Sequence, residues 1–590
     1  MKPLPRWIYW LIALLPAALG IMGILLGVLP YATLRGVMDG LSPDGNFNSL
    51  KSWNADVFKV LFSLVGIVFL GMAALTGLQR WTLFRPFIKQ LWADTGRSFA
   101  CLRPCRDEIG SLLTVVVIMV LAVIYRLEYI TSPLHHDEAY TFIAFARTLM
   151  SAVSDYHLPN NHVFHSILVY FSTHLFGIQP WAVRLPAFTA GVLLVPAAYW
   201  LARRLYDRWT ALLAALLVAV FPILVNYSTN ARGYTLVALF TLLTFSLGTI
   251  VSREKNIFIW GLISLLSALG FYTLPVMLFP FGILFAWLFL ENQAAGPGSY
   301  LSKFDFLLHW AAAGLGAAIL TLLFYTPILI YSGPQKLFEN GFVAPLPWPD
   351  LLETLAHRFG ETWSEWTFRI PLYLAILLAA GFILSLVFQR RLSTIRFPVQ
   401  GAAILWIVVL ILVQRPNAWA KVWLFLLPLM LIWSCAGIVG LLAKVRLKLL
   451  RGQPLALVVV APALLVAILH AARLAPQLPD LWARRGSEET TILFVREQLK
   501  EQDLIVVAPP DDAVVWYYSD VHGISLSHFD VRLPFERVLV LVDALEGQTP
   551  DSVLAERGPD VAVLNVESAR PLGTFGKLQV VEVPLLPENP

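Results

Sequence analysis

Charge is what this chain has least of. Only 14% of its 590 residues are Asp, Glu, Lys or Arg, and the formal net charge is +5. That balance implies no nucleic-acid partner; where the Lys and Arg fall matters more than their sum. Cysteine is nearly missing too, at 3 residues, which excludes a disulfide framework. Cys101 and Cys105 lie close together in CLRPC, but no second pair completes a zinc site. What is present is apolar. Hydrophobic residues make up 58%, with 20 Trp and 37 Phe, and the mean hydropathy is +0.70. No soluble globular class has that balance, whereas a polytopic membrane protein does.

The apolar runs set the topology. The first, residues 7–29, has a basic start but is long enough to span, and reads as an uncleaved anchor. A second follows at 57–78. The loop after it carries Arg80, Arg85, Lys89, Arg97, Arg103 and Arg106. Basic loops stay in the cytoplasm, so the third run, 111–130, leads outward and delivers His135-His136-Asp137-Glu138 to the outer face. AYTFIAFARTLMS then shows helical periodicity, but it is short and amphipathic. It reads as one helix lying on the interface, with Asp137 at its N-cap. Residues 162–177 are apolar but carry three histidines. Keeping them outside lets the next run, 185–202, bring Arg203, Arg204 and Arg208 to the cytoplasm.

Further runs at 209–227, 233–251, 256–272, 274–291, 307–331, 371–388, 398–414, 420–442 and 455–474 give about thirteen spans by the roughly 20-residue criterion. They put the N-terminus inside and the C-terminus outside. Residues 332–369 form a long outer loop. From about 475 the pattern changes. Buried strands are expected at 503–509, 537–543, 560–566 and 577–583, and helices near 487–501, 511–519 and 549–556. That is a small extracytoplasmic α/β domain, without a GxGxxG or P-loop for a nucleotide. The domain plan is 1–110 for an N-terminal hairpin and basic loop, 111–474 for the membrane module, and 475–590 for the tail domain.

Ionisable groups at a membrane boundary are costly unless a function retains them. Asp137 and Glu138 are the first candidates; their bland reading is a pair of acids at a helix N-terminus. Six of the eleven histidines, His135, His136, His157, His162, His165 and His174, fall within forty residues. That clustering leaves a divalent metal, phosphate contacts and groove lining all open, and no ligand spacing is recognisable. Arg232 in NYSTNARGY and Arg415 in QRPNAWAKVW sit in polar breaks at outer span ends, the second also holding Lys421. An anionic lipid phosphate wants such donors, and snorkelling to the interface is the alternative. For Arg184 and Arg369 snorkelling is expected. The outer loop adds Glu361, Glu365, Trp348, Trp363 and Trp366, which suit a sugar or prenyl chain or an aromatic belt.

Three stretches, HHDEAYTFIAFA, NNHVFHSILVYFSTHLFGIQPWAVRLPAFTAGVLLVPAAYWLARRLY and ALLVAVFPILVNYSTNARGYTLVAL, together resemble the GT-C superfamily of membrane glycosyltransferases. The likeness is to family 39, the protein mannosyltransferase and lipid A aminoarabinose transferase type. It is clear over roughly 130–250 and returns in RPNAWAKVWLFLLPLMLI. The first two spans and the tail have no assigned counterpart. The resemblance implies a polyprenyl-phosphate sugar as donor on the outer leaflet and a hydroxyl acceptor on protein, lipid or glycan. It also implies Asp137 as base, with Glu138 beside it. One carboxylate suffices, because the leaving phosphate departs already charged. Direct displacement then inverts the anomeric centre. Many members carry Lys-Pro-Pro in the loop to help bind phosphate. Here the stretch reads Pro159-Asn160-Asn161-His162, so His162, Arg232, Arg415 and Lys421 are the candidate phosphate contacts. His135, His136, Tyr140, His157, Asn161, His165, Tyr234, Glu361 and Trp363 are candidates for the substrate groove. No metal ligand is assigned and no cofactor is required.

A lipid transporter is the competing class. It would show paired intramembrane charges or broken helices in related halves, and neither is visible in the sequence. A non-catalytic assembly factor working through the tail is the third.

Overall fold

The computed structural model describes residues 6–41, 50, 52, 55–77, 85–101, 108–294, 302–338, 345–444, 486–560 and 563–586. Long apolar helices dominate, because in lipid a helix satisfies its own backbone N–H and C=O groups. Six described helices are long and apolar enough to cross a membrane, or up to eight if each of two bent pairs is one span. Each expected span from 7–29 to 420–442 coincides with a helix or a broken helix pair. The expected span at 455–474 and the Cys101–Cys105 pairing lie outside the described residues. Helix Tyr234–Val251 is the centre: 89% of its apolar window is buried, against 33% for Ile109–Ile130.

Local sequence explains the helix ends. Asp207 caps Arg208–Val220, its carboxylate accepting from the N–H groups of Trp209 at 2.8 Å and Thr210 at 3.1 Å. Pro222 cannot donate to the turn before it, and the span expected at 209–227 breaks there by 59° into Arg208–Val220 and Pro222–Ser228. This break departs from the unbroken span expected there. Buried Arg126 braces the break, donating to Ser228 Oγ at 2.7 Å and to the carbonyl oxygen of Ala219 at 2.7 Å. Glycine lets two helix pairs touch backbone to backbone. A Cβ on Gly437 would sit 1.9 Å from the Gly381 carbonyl oxygen, and one on Gly23 would sit 2.9 Å from the Gly66 Cα.

Two segments between the expected spans differ from expectation. AYTFIAFARTLMS is not one helix: His136–Thr141 passes into a π turn at Phe142–Ala146, and Leu149–Ser154 starts afresh on a Thr148 cap. The residue at the N-cap is His135, so Asp137 stands two positions further into the helix than expected. The loop expected at 332–369 holds an amphipathic helix, Trp348–Thr367, which meets Leu372–Val387 at 114°. Helix Val163–Phe176 has 14 residues, about 21 Å of rise, well short of a bilayer core.

The tail carries a four-stranded sheet, β1 (Asp503–Val507), β2 (Arg537–Asp543), β3 (Arg570–Phe575) and β4 (Leu578–Pro584), in the order β1-β2-β4-β3. β1 and β2 are parallel, with Ile505 opposite Leu539; β4 is antiparallel to both β2 and β3. Strand alternation sends Leu504, Val506, Val538 and Val540 to one face, under helix Pro550–Arg557. Ile505, Val507, Leu539 and Leu541 go to the other, under Ser487–Gln498 and Asp512–Val521. That second cluster also contains Leu134, Ala139, Phe142 and Val183, so the tail's helical face is docked on the 131–184 loop. The expected strand at 560–566 is not one in its described residues; Leu564 makes a single bridge to Leu585. The edge place belongs to Arg570–Phe575, where Pro571 sits at a register shift. Proline is tolerated at such an edge, but the same residue hid the strand from a composition reading.

Candidate active site

Asp137 and Glu138 follow each other on one short helix and therefore point about 100° apart. Glu138 turns inward. Arg184 donates Nε to Glu138 Oε1 at 2.8 Å and Nη2 to Oε2 at 2.7 Å. The N–H of His135 reaches Oε2 at 2.9 Å, and that of Ala231 reaches Oε1 at 2.6 Å. Neither side chain of the pair touches solvent. Burial is the largest effect and pushes the Glu138 carboxyl up, but the Arg184 charge, its hydrogen bonds and those from His135 together outweigh it, and the net shift is downward. Arg184 also donates to the carbonyl oxygens of Ile130 at 3.1 Å and Pro133 at 2.9 Å. It is a buried anchor, not the snorkelling side chain expected of it.

Asp137 turns outward. Its carboxylate is 47% exposed and opens on a cavity of about 510 Å³. Oδ2 lies 4.0 Å from Arg232 Nη2 and 3.8 Å from Lys421 Nζ. Oδ1 lies 3.8 Å from His136 Nδ1, an ion-pair separation rather than a hydrogen bond. Pairing with His136, and then the charges of Arg232 and Lys421, hold the carboxyl well below the usual carboxylate range, against the effect of burial.

Arg232 sits in the turn between helices Pro222–Ser228 and Tyr234–Val251. Its Nη1 donates to Thr141 Oγ1 at 2.7 Å and to the Asp137 and Asn160 carbonyl oxygens at 3.3 Å. It therefore ties the Asp137 helix to the 155–161 turn while still facing the cavity. The next residue, Gly233, lets the turn pack closely: a Cβ there would meet Thr273 Cγ2 at 2.5 Å and force that side chain to shift. The Gly233 N–H donates to His162 Nδ1 at 2.7 Å, which fixes the His162 proton on Nε2.

The cavity gathers six of the sequence candidates: His135, Asp137, Arg232, Tyr234, Glu365 and Lys421. Others lie elsewhere. Arg415 lines a second, apolar cavity of about 920 Å³ with Phe271, Leu274, Phe279, Leu322 and Tyr325. Its backbone is left-handed, and its guanidinium lies 5.1 Å from the Trp348 ring centroid. Residues 413–418 and 422 line the apolar cavity while Lys421 lines the polar one, so one segment borders both. His162 and His165 are buried, and neither ring nitrogen of His165 has a partner. Burial lowers both, His165 to about 3. Asn161 is buried as well; its amide donates to the carbonyl oxygens of Ala152 and Asp155, and its Oδ1 accepts from Ser166. These three support the loop and line neither cavity. His136 turns away to Asp512, with Nε2 to Oδ1 at 3.0 Å. Tyr140 and His157 bond each other at 2.9 Å, outside both cavities. Glu361 pairs with Arg358 and His357, and with Trp363 it lines neither cavity.

Of the candidates in the 332–369 loop only Glu365 reaches this cavity, and other wall residues had no such role assigned. Glu365, one helical turn beyond Glu361, accepts from Tyr227 at 2.9 Å and lines the wall. Arg369, expected to snorkel, also lines it, with a left-handed φ of 60° that turns the chain into the next span. Tyr125 and Tyr129 come from the last turns of helix Ile109–Ile130. Their i, i+4 spacing just before HHDE was the available signal. Among the described residues no three His, Cys, Asp or Glu side chains converge as a metal site.

Residues 160–331 match the profile of the dolichyl-phosphate-mannose-protein mannosyltransferase family. Among solved structures, the chain is similar to ArnT from Cupriavidus metallidurans bound to undecaprenyl phosphate. Identity is 12% over 80% of this chain and 98% of that one, with a TM-score of 0.50. It also aligns with the archaeal oligosaccharyltransferase AglB from Archaeoglobus fulgidus, in complex with an inhibitory peptide and a dolichol-phosphate. There identity is 13% over 74% and 69%, with a TM-score of 0.46. No curated protein sequence matches the chain. The fold, apolar membrane-length helices followed by a four-stranded sheet, is therefore shared with that ArnT structure over 80% of this chain.

Proposed function

We propose that this protein is an inverting glycosyltransferase that moves a sugar from a polyprenyl-phosphate donor to a hydroxyl acceptor at the outer face of the membrane. The observation that carries the reading is Asp137, half exposed at the wall of a 510 Å³ cavity with Arg232 and Lys421 within 4.0 Å. The acceptor oxygen attacks the anomeric carbon and its proton passes to Asp137 Oδ2. The bond from that carbon to the phosphate oxygen breaks on the opposite side. The lipid phosphate leaves as an anion held by Arg232 and Lys421. Glu138 is a positioning residue in this scheme, because it is sealed from the cavity.

Donor binding also readies the base. A phosphate between Arg232 and Lys421 takes up the charge that holds the Asp137 carboxyl down and adds a negative charge beside it. Both effects raise its proton affinity at the moment a base is needed. The neighbouring 920 Å³ apolar cavity, with Arg415 at its polar edge, suits the prenyl chain.

The outer placement rests on helix Pro180–Leu205. Arg184 and Arg203 are nineteen residues apart on it, roughly 29 Å of rise, about one hydrocarbon thickness. Asp137 is tied to the first end. Arg203 and Arg204 mark the other, where Thr394 bonds the Leu205 carbonyl. With basic loops inside, the plasma membrane holds the protein with its N-terminus cytoplasmic and its tail domain outside.

The test is transfer from a polyprenyl-phosphate sugar by purified Asp137→Asn protein, with undecaprenyl-phosphate binding measured in parallel. The reading expects transfer lost and binding kept; full transfer by the variant removes Asp137 as base.

A further inference from the structure

We propose that the C-terminal domain helps set the catalytic carboxylate, with Asp512 as a positioning residue that holds His136 against Asp137. The inference rests on the reading of Asp137 as base. Asp512 opens helix Asp512–Val521 at the C-terminal side of β1 and is 376 residues from His136 in sequence. Its side chain is 3% exposed, and Oδ1 lies 3.0 Å from His136 Nε2. The opposite ring nitrogen, Nδ1, is 3.8 Å from Asp137 Oδ1. One imidazole thus bridges a carboxylate of the tail and the carboxylate at the cavity wall, while itself standing outside the cavity.

The contact belongs to a built interface rather than a chance approach. The Tyr517 hydroxyl donates to the Ile178 carbonyl oxygen at 2.5 Å, Arg147 pairs with Asp520 at 2.9 Å, and the Phe142 and Tyr517 rings meet edge to face. The charged groups facing the His136 ring are Asp137 and Asp512, with Tyr140 stacked on it at 6.0 Å. Arg557 backs Asp512 at 3.2 Å, and Arg232 and Lys421 back Asp137. A ring held between two carboxylates keeps its proton: pairing with Asp137 and then Asp512 pushes His136 up to about 9, against the effect of burial. An imidazolium so placed fixes the Asp137 rotamer, as an oriented partner does for a catalytic side chain.

The full-length protein in lipid nanodiscs, labelled on its histidine rings, tests this by a pH titration read by NMR. His136 is assigned from the signal lost in His136→Gln. The expected result is a His136 midpoint near pH 9 that falls by at least one unit in Asp512→Asn, with undecaprenyl-phosphate affinity within twofold of the parent. An unchanged midpoint overturns the proposal. A lowered midpoint together with lost lipid binding also overturns it, in favour of a contact that only holds the loop up. Failure of the base reading shows separately, as sugar transfer retained by Asp137→Asn.

Discussion

Arg184 and Glu138 meet through two parallel N–H···O bonds, at 2.8 and 2.7 Å, where neither side chain reaches solvent. The pair joins the start of one span to the loop that follows another, and it leaves the adjacent Asp137 facing the cavity. Removing one partner strands a buried charge, which costs about 3–5 kcal/mol. Arg184→Ala and Glu138→Ala are therefore expected to lower the apparent melting temperature and the folded yield in detergent, while Asp137→Asn changes neither. Equal melting curves for Glu138→Ala and the parent would remove the anchor role.

General-base removal costs about 10²–10⁴ in rate, and Asp137→Asn is expected to lower kcat by that much. The free enzyme and its donor complex should also differ in pH response. The folded-state carboxyl lies below its ordinary value, so Asp137 stays ionised through mildly acid pH in the free protein. Donor phosphate raises it. The acid limb of kcat is then expected at higher pH than that of kcat/KM for the donor. Coincident limbs count against the coupling.

Lys421 touches Asp137 at 3.8 Å and is 39% exposed at the cavity wall. A charge-assisted contact to phosphate is worth about 1.5–3 kcal/mol. Lys421→Met is expected to weaken undecaprenyl-phosphate binding by roughly ten- to a hundredfold, by the same energy scale. Arg232→Ala should do so as well and lower stability, because Arg232 also holds Thr141 and Asn160. Unaltered lipid affinity in Lys421→Met would take the phosphate away from this cavity.

His165 is buried with both ring nitrogens unpartnered and its pKa depressed to about 3. The unfolded chain takes up the proton near pH 6.5 and the folded one does not. Stability thus falls as pH drops from about 6.5 toward 3, and the loss at pH 5 is about 2 kcal/mol. His165→Leu removes that penalty. It is expected to raise the melting temperature more at pH 5 than at pH 7.5, and an equal gain at both would show that His165 does not titrate this way.

Much of this was legible in one dimension. Apolar runs broken by Arg and Lys gave the helices and their expected orientation, because a bilayer imposes length and charge placement on any sequence that crosses it. The HHDE stretch and the breaks around Arg232 and Lys421 stood out as polar groups in an apolar chain. Errors arose where one residue had two local readings. Arg184 looked like an interfacial cation, and only the fold put Glu138 against it. Glu361 and Glu365 looked equivalent in one loop, and the advance of one turn along helix Trp348–Thr367 brought only Glu365 to the cavity.

Sequence alone, then, determined that this chain lives in a membrane, that it carries carboxylates at a span boundary, and that its tail is an α/β layer. Those properties follow from local pattern and from the solvent. Which of two adjacent acids faces the cavity, which arginines reach it, and that Asp512 of the tail grips His136 were settled only by tertiary structure. Such contacts join residues up to 376 positions apart, and no local propensity encodes a distance closed by the packing of everything between.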